Sequence, residues 1–154
     1  MNLNKFTPKF RLFKMIFLAQ TDTTAGFLSK DFTELNKAKG RALDTPCVIT
    51  LSKFSELKNF VRVPNLHKNL VRRAKKTTIL YPNSLAVRVI KDHEHSKFLD
   101  EFGFMYSTSA NLHGKNFDLE VAKNIADIVV DSEFIENAPS KILKISKSKI
   151  KKIR

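Results

Sequence analysis

Short β-rich apolar runs alternate irregularly with helical stretches along this chain, and that pattern constrains its fold more than any other feature. Leu12–Ala19 is an apolar run suited to an interior strand; it leads into a polar turn, Gln20 to Thr24, followed by Gly26. Asp31 is placed to cap a helix through Lys39, with Glu34 as capping-box partner and Gly40 as the stop. Cys47–Leu51 reads as a second buried strand, and Ser52–Phe60 as a helix presenting Phe54 and Leu57 on one face. Pro64 opens a helix that ends in Arg72 and Arg73. Thr77–Tyr81 and Ser84–Ile90 read as strands joined by Pro82 and Asn83. Asp92 is placed to cap a helix carrying Phe98, Leu99 and Phe102, stopped by Gly103. Phe104–Tyr106 is a short strand leading into a Ser107–Asn111 loop, Asp118 caps a helix through Ala126, and Ile128–Val130 is a small strand. Beyond Pro139 the spaced Ile142, Ile145, Ile150 and Ile153 predict one or two final strands with a solvated lysine face. The alternation predicts a single α/β domain over residues 1–154, a mixed sheet covered by helices.

Composition narrows the function classes. No run approaches the ~20 apolar residues of a spanning helix. Lys5, Lys9, Arg11 and Lys14 before Met15–Ala19 mimic a signal peptide, but the apolar run is too short for a secretory core, so a soluble protein is expected. Apolar residues make up 42% of the 154, enough for a packed core without disulfides or a metal. Cys47 is the only cysteine, which excludes an intrachain disulfide and suits a reducing, cytoplasmic setting. His93 and His95 do not share a helical face and have no acidic partner set, so no metal site is expected there; His67, on a basic helix, is expected in solvent. Lys and Arg number 28 against 15 Asp and Glu, a net +13 that points to polyanions: nucleotides, RNA or an anionic membrane. A lysine-rich composition alone can produce the same bias. Membrane attachment lacks a lipidation motif or a strongly amphipathic basic helix.

Four segments carry side chains suited to chemistry: Thr21–Thr23, Lys39–Arg41, Ser84–Val89 and Ser107–Asn111. Lys39 and Arg41 are two apart, so an extended segment points both heads the same way. Lysine supplies a compact charge and arginine a planar fork that grips two phosphate oxygens. Ser109 and Asn111 likewise fall on one side of an extended loop, where a hydroxyl and an amide can hold phosphate or ribose without adding charge. Singly, these segments are an ordinary turn, helix end, strand and loop.

Their order resembles the YrdC-like family of threonylcarbamoyl-AMP synthases. In that family a strand ends in a Pro-Thr-Glu-Thr turn, a helix ends in Lys-x-Arg, a strand carries Ala-Val-Arg, and a Ser-x-Asn loop follows. The resemblance runs from about Ile16 to the C-terminus and rests most on Ser84–Val89 followed by Ser107–Leu112 and Gly114. Pro139-Ser140 looks like the family's late Pro-Ser motif, and Arg154 matches its terminal arginine. The turn here departs from the pattern, with Gln20 in place of proline and Asp22 in place of glutamate, and Ala42 replaces the proline after Lys-x-Arg. Ala74-Lys75-Lys76-Thr77-Thr78 stands where Pro-Gly-Pro-x-Thr is common.

The resemblance implies a twisted mixed sheet and ATP-dependent synthesis of threonylcarbamoyl-AMP from L-threonine, bicarbonate and ATP, for threonylcarbamoyladenosine modification of tRNA. By the same resemblance Lys39, Arg41 and Ser109 act in catalysis, and these three hold the nucleotide with Ser107, Asn111 and Arg154. Thr21, Thr23, Arg88 and Ser140 hold threonine. Magnesium is expected with ATP and no residue as a dedicated metal ligand; tRNA-modification proteins are expected partners. The alternative is a non-catalytic module of the same fold that binds RNA or nucleotide, through Arg72, Arg73, Lys75, Lys76 and the C-terminal lysines.

Overall fold

The computed structural model describes residues 12–91 and 93–154. Lys5, Lys9, Arg11 and the cap expected at Asp92 lie outside the described residues. Among the described residues, nine strands form one mixed sheet in the order β7-β1-β2-β6-β3-β5-β4-β8-β9. In chain order they are β1 (Phe17–Gln20), β2 (Ala25–Ser29), β3 (Val48–Leu51), β4 (Thr77–Leu80), β5 (Ala86–Val89), β6 (Met105–Ser109), β7 (Ile128–Val129), β8 (Lys141–Ile145) and β9 (Ile150–Lys152). The helices that lie wholly among the described residues are α1 (Phe32–Lys39), α2 (Lys68–Arg73), α3 (Glu94–Phe102) and α4 (Leu119–Ile125).

The pairing is antiparallel for β1–β2, β2–β6, β6–β3, β5–β4 and β8–β9, and parallel for β7–β1, β3–β5 and β4–β8. Strand residues alternate between faces, so the register assigns each side chain. Leu18, Phe27 and Ala25 pack with Leu35 of α1 and Ala122 of α4. Ile49, Leu51, Val87, Ile79 and Ile145 extend that face, packing against Leu57, Val61 and Val71. Phe17, Leu28, Met105 and Ile90 point the other way and pack on Phe98 and Leu99 of α3. Burial on both faces explains why β1 reads as continuous apolar sequence rather than as an alternation. The helix α3 covers only part of its face, and the candidate site occupies the rest.

Several local expectations need correction. Leu12–Lys14 are helical, so the first strand begins at Phe17. Asp31 caps α1 by accepting Thr33 N–H at 2.9 Å, but its own N–H goes to Ser29 Oγ at 3.1 Å, so Glu34 does not complete a capping box. The helix expected at Ser52–Phe60 is a 3₁₀ segment, Phe54–Asn59, and a second 3₁₀ turn, Asn65–His67, precedes α2. α3 is capped by His93, whose Nδ1 accepts His95 N–H at 3.1 Å. His67 is buried, at 5% exposure, because its helix folds back against the sheet through Val71. β6 is longer than expected and takes in Ser107 and Ser109 as strand residues. Two final strands do form, with Lys141, Lys144, Lys151 and Lys152 exposed.

Candidate functional site

The register that buries Leu28 and Met105 beneath α3 carries the same face onward to Gly26, Ser107 and Ser109, and across to Val48, Arg88 and Thr78. There the face opens into a cavity of about 290 Å³. Thr21, Thr23, Arg41, Arg88, Ser107, Ser109, Ser140 and Arg154 all line it, and no Asp or Glu does. Gly26 keeps its floor clear: a Cβ there would stand 2.9 Å from Thr21 Cγ2.

The Thr21–Thr24 turn forms one wall. Thr21 Oγ1 accepts the N–H groups of Thr23 and Thr24 at 3.2 Å and donates to Thr24 O at 2.7 Å. Its hydroxyl is therefore committed to holding the turn, and the Thr23 hydroxyl lies 3.3 Å from it. Arg88 Nη1 donates to Thr23 Oγ1 at 3.4 Å, while Arg88 Nε lies 3.6 Å from Asp22 Oδ1. Burial pulls the Arg88 pKa below its ordinary value, and Asp22 opposes that shift.

Lys39 and Arg41 reach the site by different routes. The segment between them is not extended, because Gly40 ends α1 in the left-handed conformation at φ 69°. Lys39 Nζ donates to Ser109 O at 2.7 Å and lies 3.4 Å from both Ser109 Oγ and Asn111 Oδ1. Lys39 and Asn111 do not line the cavity; the ammonium joins it through Ser109. Burial, with the Arg41 charge adding to it, lowers the Lys39 pKa to about 8. Arg41 Nε donates to Asn36 Oδ1 at 2.6 Å and Nη2 to Cys47 Sγ at 3.3 Å, which aims the guanidinium at the cavity edge. Burial pushes the Cys47 thiol up.

The opposite wall comes from the chain end. Ser140 Oγ and Thr78 Oγ1 are 3.0 Å apart, and Arg154 Nε donates to Ser140 O at 3.0 Å. Asn36, Asp22, Cys47 and Thr78 were not singled out as site residues by the motifs. Asn36 is fully buried and donates from Nδ2 to Leu43 O and Thr45 O, so it fixes the loop that carries Arg41 and Cys47. Only Thr78 and Asp22 had a sequence signal, since both fall on positions aligned with family motifs. A buried amide inside a helix has none. Among the described residues no group of three or more His, Cys, Asp or Glu side chains is placed to hold a metal ion, and no helix is long and apolar enough to cross a membrane.

No curated protein sequence matches this chain significantly. Solved structures do match. P. abyssi Sua5 complexed with L-threonine superposes with a TM-score of 0.80 at 19% identity, covering 94% of this chain and 52% of that one. E. coli YciO matches with a TM-score of 0.73 at 16% identity, over 91% of this chain and 82% of that one. Full-length HypF, in a phosphate- and nucleotide-bound form, matches with a TM-score of 0.72 at 15% identity, over 92% of this chain and 27% of that one. These likenesses establish the α/β fold, and this chain spans about half the length of the Sua5 structure. The family model described as "Telomere recombination" matches residues 18–154, and the chain belongs to that Sua5/YciO/YrdC family.

Proposed function

We propose that this protein makes threonylcarbamoyl-AMP from L-threonine, bicarbonate and ATP, for threonylcarbamoyladenosine modification of tRNA. The observation that carries the reading is a single cavity holding three guanidinium groups and three serine hydroxyls without one carboxylate. Such a lining suits a reaction in which negative charge gathers on phosphates and a carbamate. Bicarbonate and the threonine amine first give a carbamate and water. A carbamate oxygen then bonds to the α-phosphorus as the bond to the β-phosphate oxygen breaks, and pyrophosphate leaves.

In this reading Arg88, with Thr23 beside it, takes the threonine carboxylate or the carbamate. Arg41, Arg154 and the Ser107 and Ser109 hydroxyls hold the nucleotide phosphates. Lys39 remains an ammonium at pH 7 and places its charge behind Ser109, with Asn111 fixing that contact. Ser140 closes the far wall over threonine. Magnesium enters as part of the ATP substrate, held by phosphate oxygens. The P. abyssi Sua5 structure contains L-threonine and the HypF structure phosphate and nucleotide, and both support such ligands here. tRNA-modification proteins as partners and a cytoplasmic location go with this function.

The second reading, a binding module for RNA or nucleotide without turnover, draws on the exposed lysines of β8 and β9. Pyrophosphate release separates the two. Release from magnesium-ATP that requires both L-threonine and bicarbonate is the outcome expected. ATP binding with no release under those conditions would leave the binding module.

A further inference from the structure

An apolar groove lies away from the cavity described above. Strands β4 and β8 run parallel; Thr78 and Ser140 near their starts line that cavity, and Pro82 and Lys147 follow their far ends. There Val63, Pro64, Leu66 and Pro82 line a groove of about 480 Å³, together with Arg62 and Lys147. Leu66 is 73% exposed in it. Among the described residues no Asp or Glu lines the groove, and no aromatic ring does. Hydrogen bonds fix its walls. Asn83 Nδ2 donates to Phe60 O at 3.0 Å, His67 N–H to Pro64 O at 2.9 Å, and Lys149 N–H to Ser146 Oγ at 3.0 Å. The groove therefore exists before anything enters it, which lowers the ordering cost of binding. With two cations and no ring for a base to stack on, it is built for an apolar side chain rather than for nucleic acid.

The matching feature follows β7. Phe134 packs inward, its ring centroid 6.5 Å from that of Phe117, and Ile135 N–H donates to Gln20 Oε1 at 2.9 Å. These contacts hold an irregular segment in which Ile135 is 60% exposed, between exposed Glu133 and Glu136. The ion pairs among the described residues are Arg88–Asp22 and Lys97–Glu94, so neither these carboxylates nor Arg62 and Lys147 sit in one. The segment is anchored at the end of β1, five strand steps from β4, or roughly 24 Å at the usual spacing. It does not reach the groove of its own chain.

We propose that the groove receives the Glu133–Glu136 segment of a second copy of this chain. Ile135 enters among Val63, Pro64, Leu66 and Pro82, and the two carboxylates meet Arg62 and Lys147. Burying Ile135 and Leu66 supplies the attraction, and the charge pairs set its direction. Groove and segment are different patches, so the contact is head-to-tail and leaves one groove and one segment free on a pair. The net charge of +13 opposes association, but at about 0.15 M salt that repulsion is screened beyond about 8 Å while contact pairs survive. So small a contact gives weak association, in the micromolar to millimolar range. It stands whether or not the first cavity makes threonylcarbamoyl-AMP.

Sedimentation equilibrium of the full chain, at about 0.15 M salt, is the test. The mass should rise above that of one chain as concentration increases. Leu66→Asp spoils the groove and Ile135→Asn the segment; both side chains are exposed, so thermal unfolding should match the parent. Each variant alone should lose association. Mixed in equal amounts, they should form a one-to-one dimer and nothing larger, because only the Ile135→Asn groove and the Leu66→Asp segment remain intact. A parent chain that stays monomeric throughout, parent-like association of either variant, or a mixture of folded variants that forms no dimer would each overturn the assignment.

Discussion

Arg88 Nε faces Asp22 Oδ1 at 3.6 Å, with each side chain less than a tenth exposed. The pair links the strand that carries the Ala-Val-Arg motif to the turn that carries Thr23. Removing one partner of a buried pair strands the other charge, at a cost of about 3–5 kcal/mol. Asp22→Ala should therefore lower unfolding stability by about 3 kcal/mol in a denaturant titration. Adding Arg88→Met should cost less than the sum of the two single changes, because the stranded charge is gone. Additive losses would mean that the pair is not coupled.

Lys39 supplies a pH signature of unusual sign. Its ammonium is lost near pH 8, so ATP affinity should fall as pH rises from 7 to 9. Stability should move the opposite way. Between about pH 8 and the ordinary lysine value of 10.5, the unfolded chain holds a proton that the folded chain has lost, so this group favours folding more as pH rises. Lys39→Ala should abolish pyrophosphate release and erase both trends. Calorimetric ATP titrations and thermal unfolding across that range check the two limbs separately.

Asn36 should matter as much to Arg41 as Arg41 does to the nucleotide. From a fully buried position it donates to two loop carbonyls and accepts from Arg41 Nε, three strong side-chain hydrogen bonds beside a weaker one accepted from Cys47 Sγ at 3.5 Å. At about 1 kcal/mol per bond, Asn36→Ala should destabilise the protein by about 3 kcal/mol. It should also raise the KM for ATP more than it lowers kcat. An unchanged KM would show that Arg41 needs no such support.

His95 sets the acid limit. Burial above all, with the charges of Arg88 and His93 acting in the same sense, holds its pKa down to about 4. Among the described residues its Nε2 has no hydrogen-bond partner, and its ring stacks on Phe98. The folded pKa lies below the unfolded value of 6.5, so this group's contribution is complete above pH 6.5 and is lost as pH falls through 4. The total is roughly 3 kcal/mol. His95→Phe should flatten that acid limb in denaturant titrations run from pH 7 to 4.

The strand and helix inventory was legible in the sequence because local rules write it. Asp31 and Asp118 accept first-turn N–H groups, and Gly40 and Gly103 stop their helices where the sequence places them. The Lys-x-Arg and Ser-x-Asn segments were legible as a motif, and they do meet at Ser109. Their route to each other was not: Gly40 turns the chain, so Lys39 and Arg41 leave in different directions. Ser107 and Ser109 looked like a loop because serine and threonine weaken any strand signal, yet β2 and β3 on either side recruit them into the sheet. His67 looked solvated, since a charge-rich helix conceals which single residue faces inward.

By itself, then, the sequence determined what local chemistry and one-dimensional order can determine: an α/β chain, its caps and stops, its cationic excess and its family motifs. Only the tertiary structure decided which of those cations share a hollow and which remain in solvent. It placed Arg41, Arg88 and Arg154, far apart along the chain, around one carboxylate-free cavity. It also paired Asp22 with Arg88 and gathered Arg72, Arg73, Lys75, Lys76 and Lys91 around a second hollow. The physical reason is that strand order and register bring distant segments to the same face, and no local pattern of residues encodes that crossing.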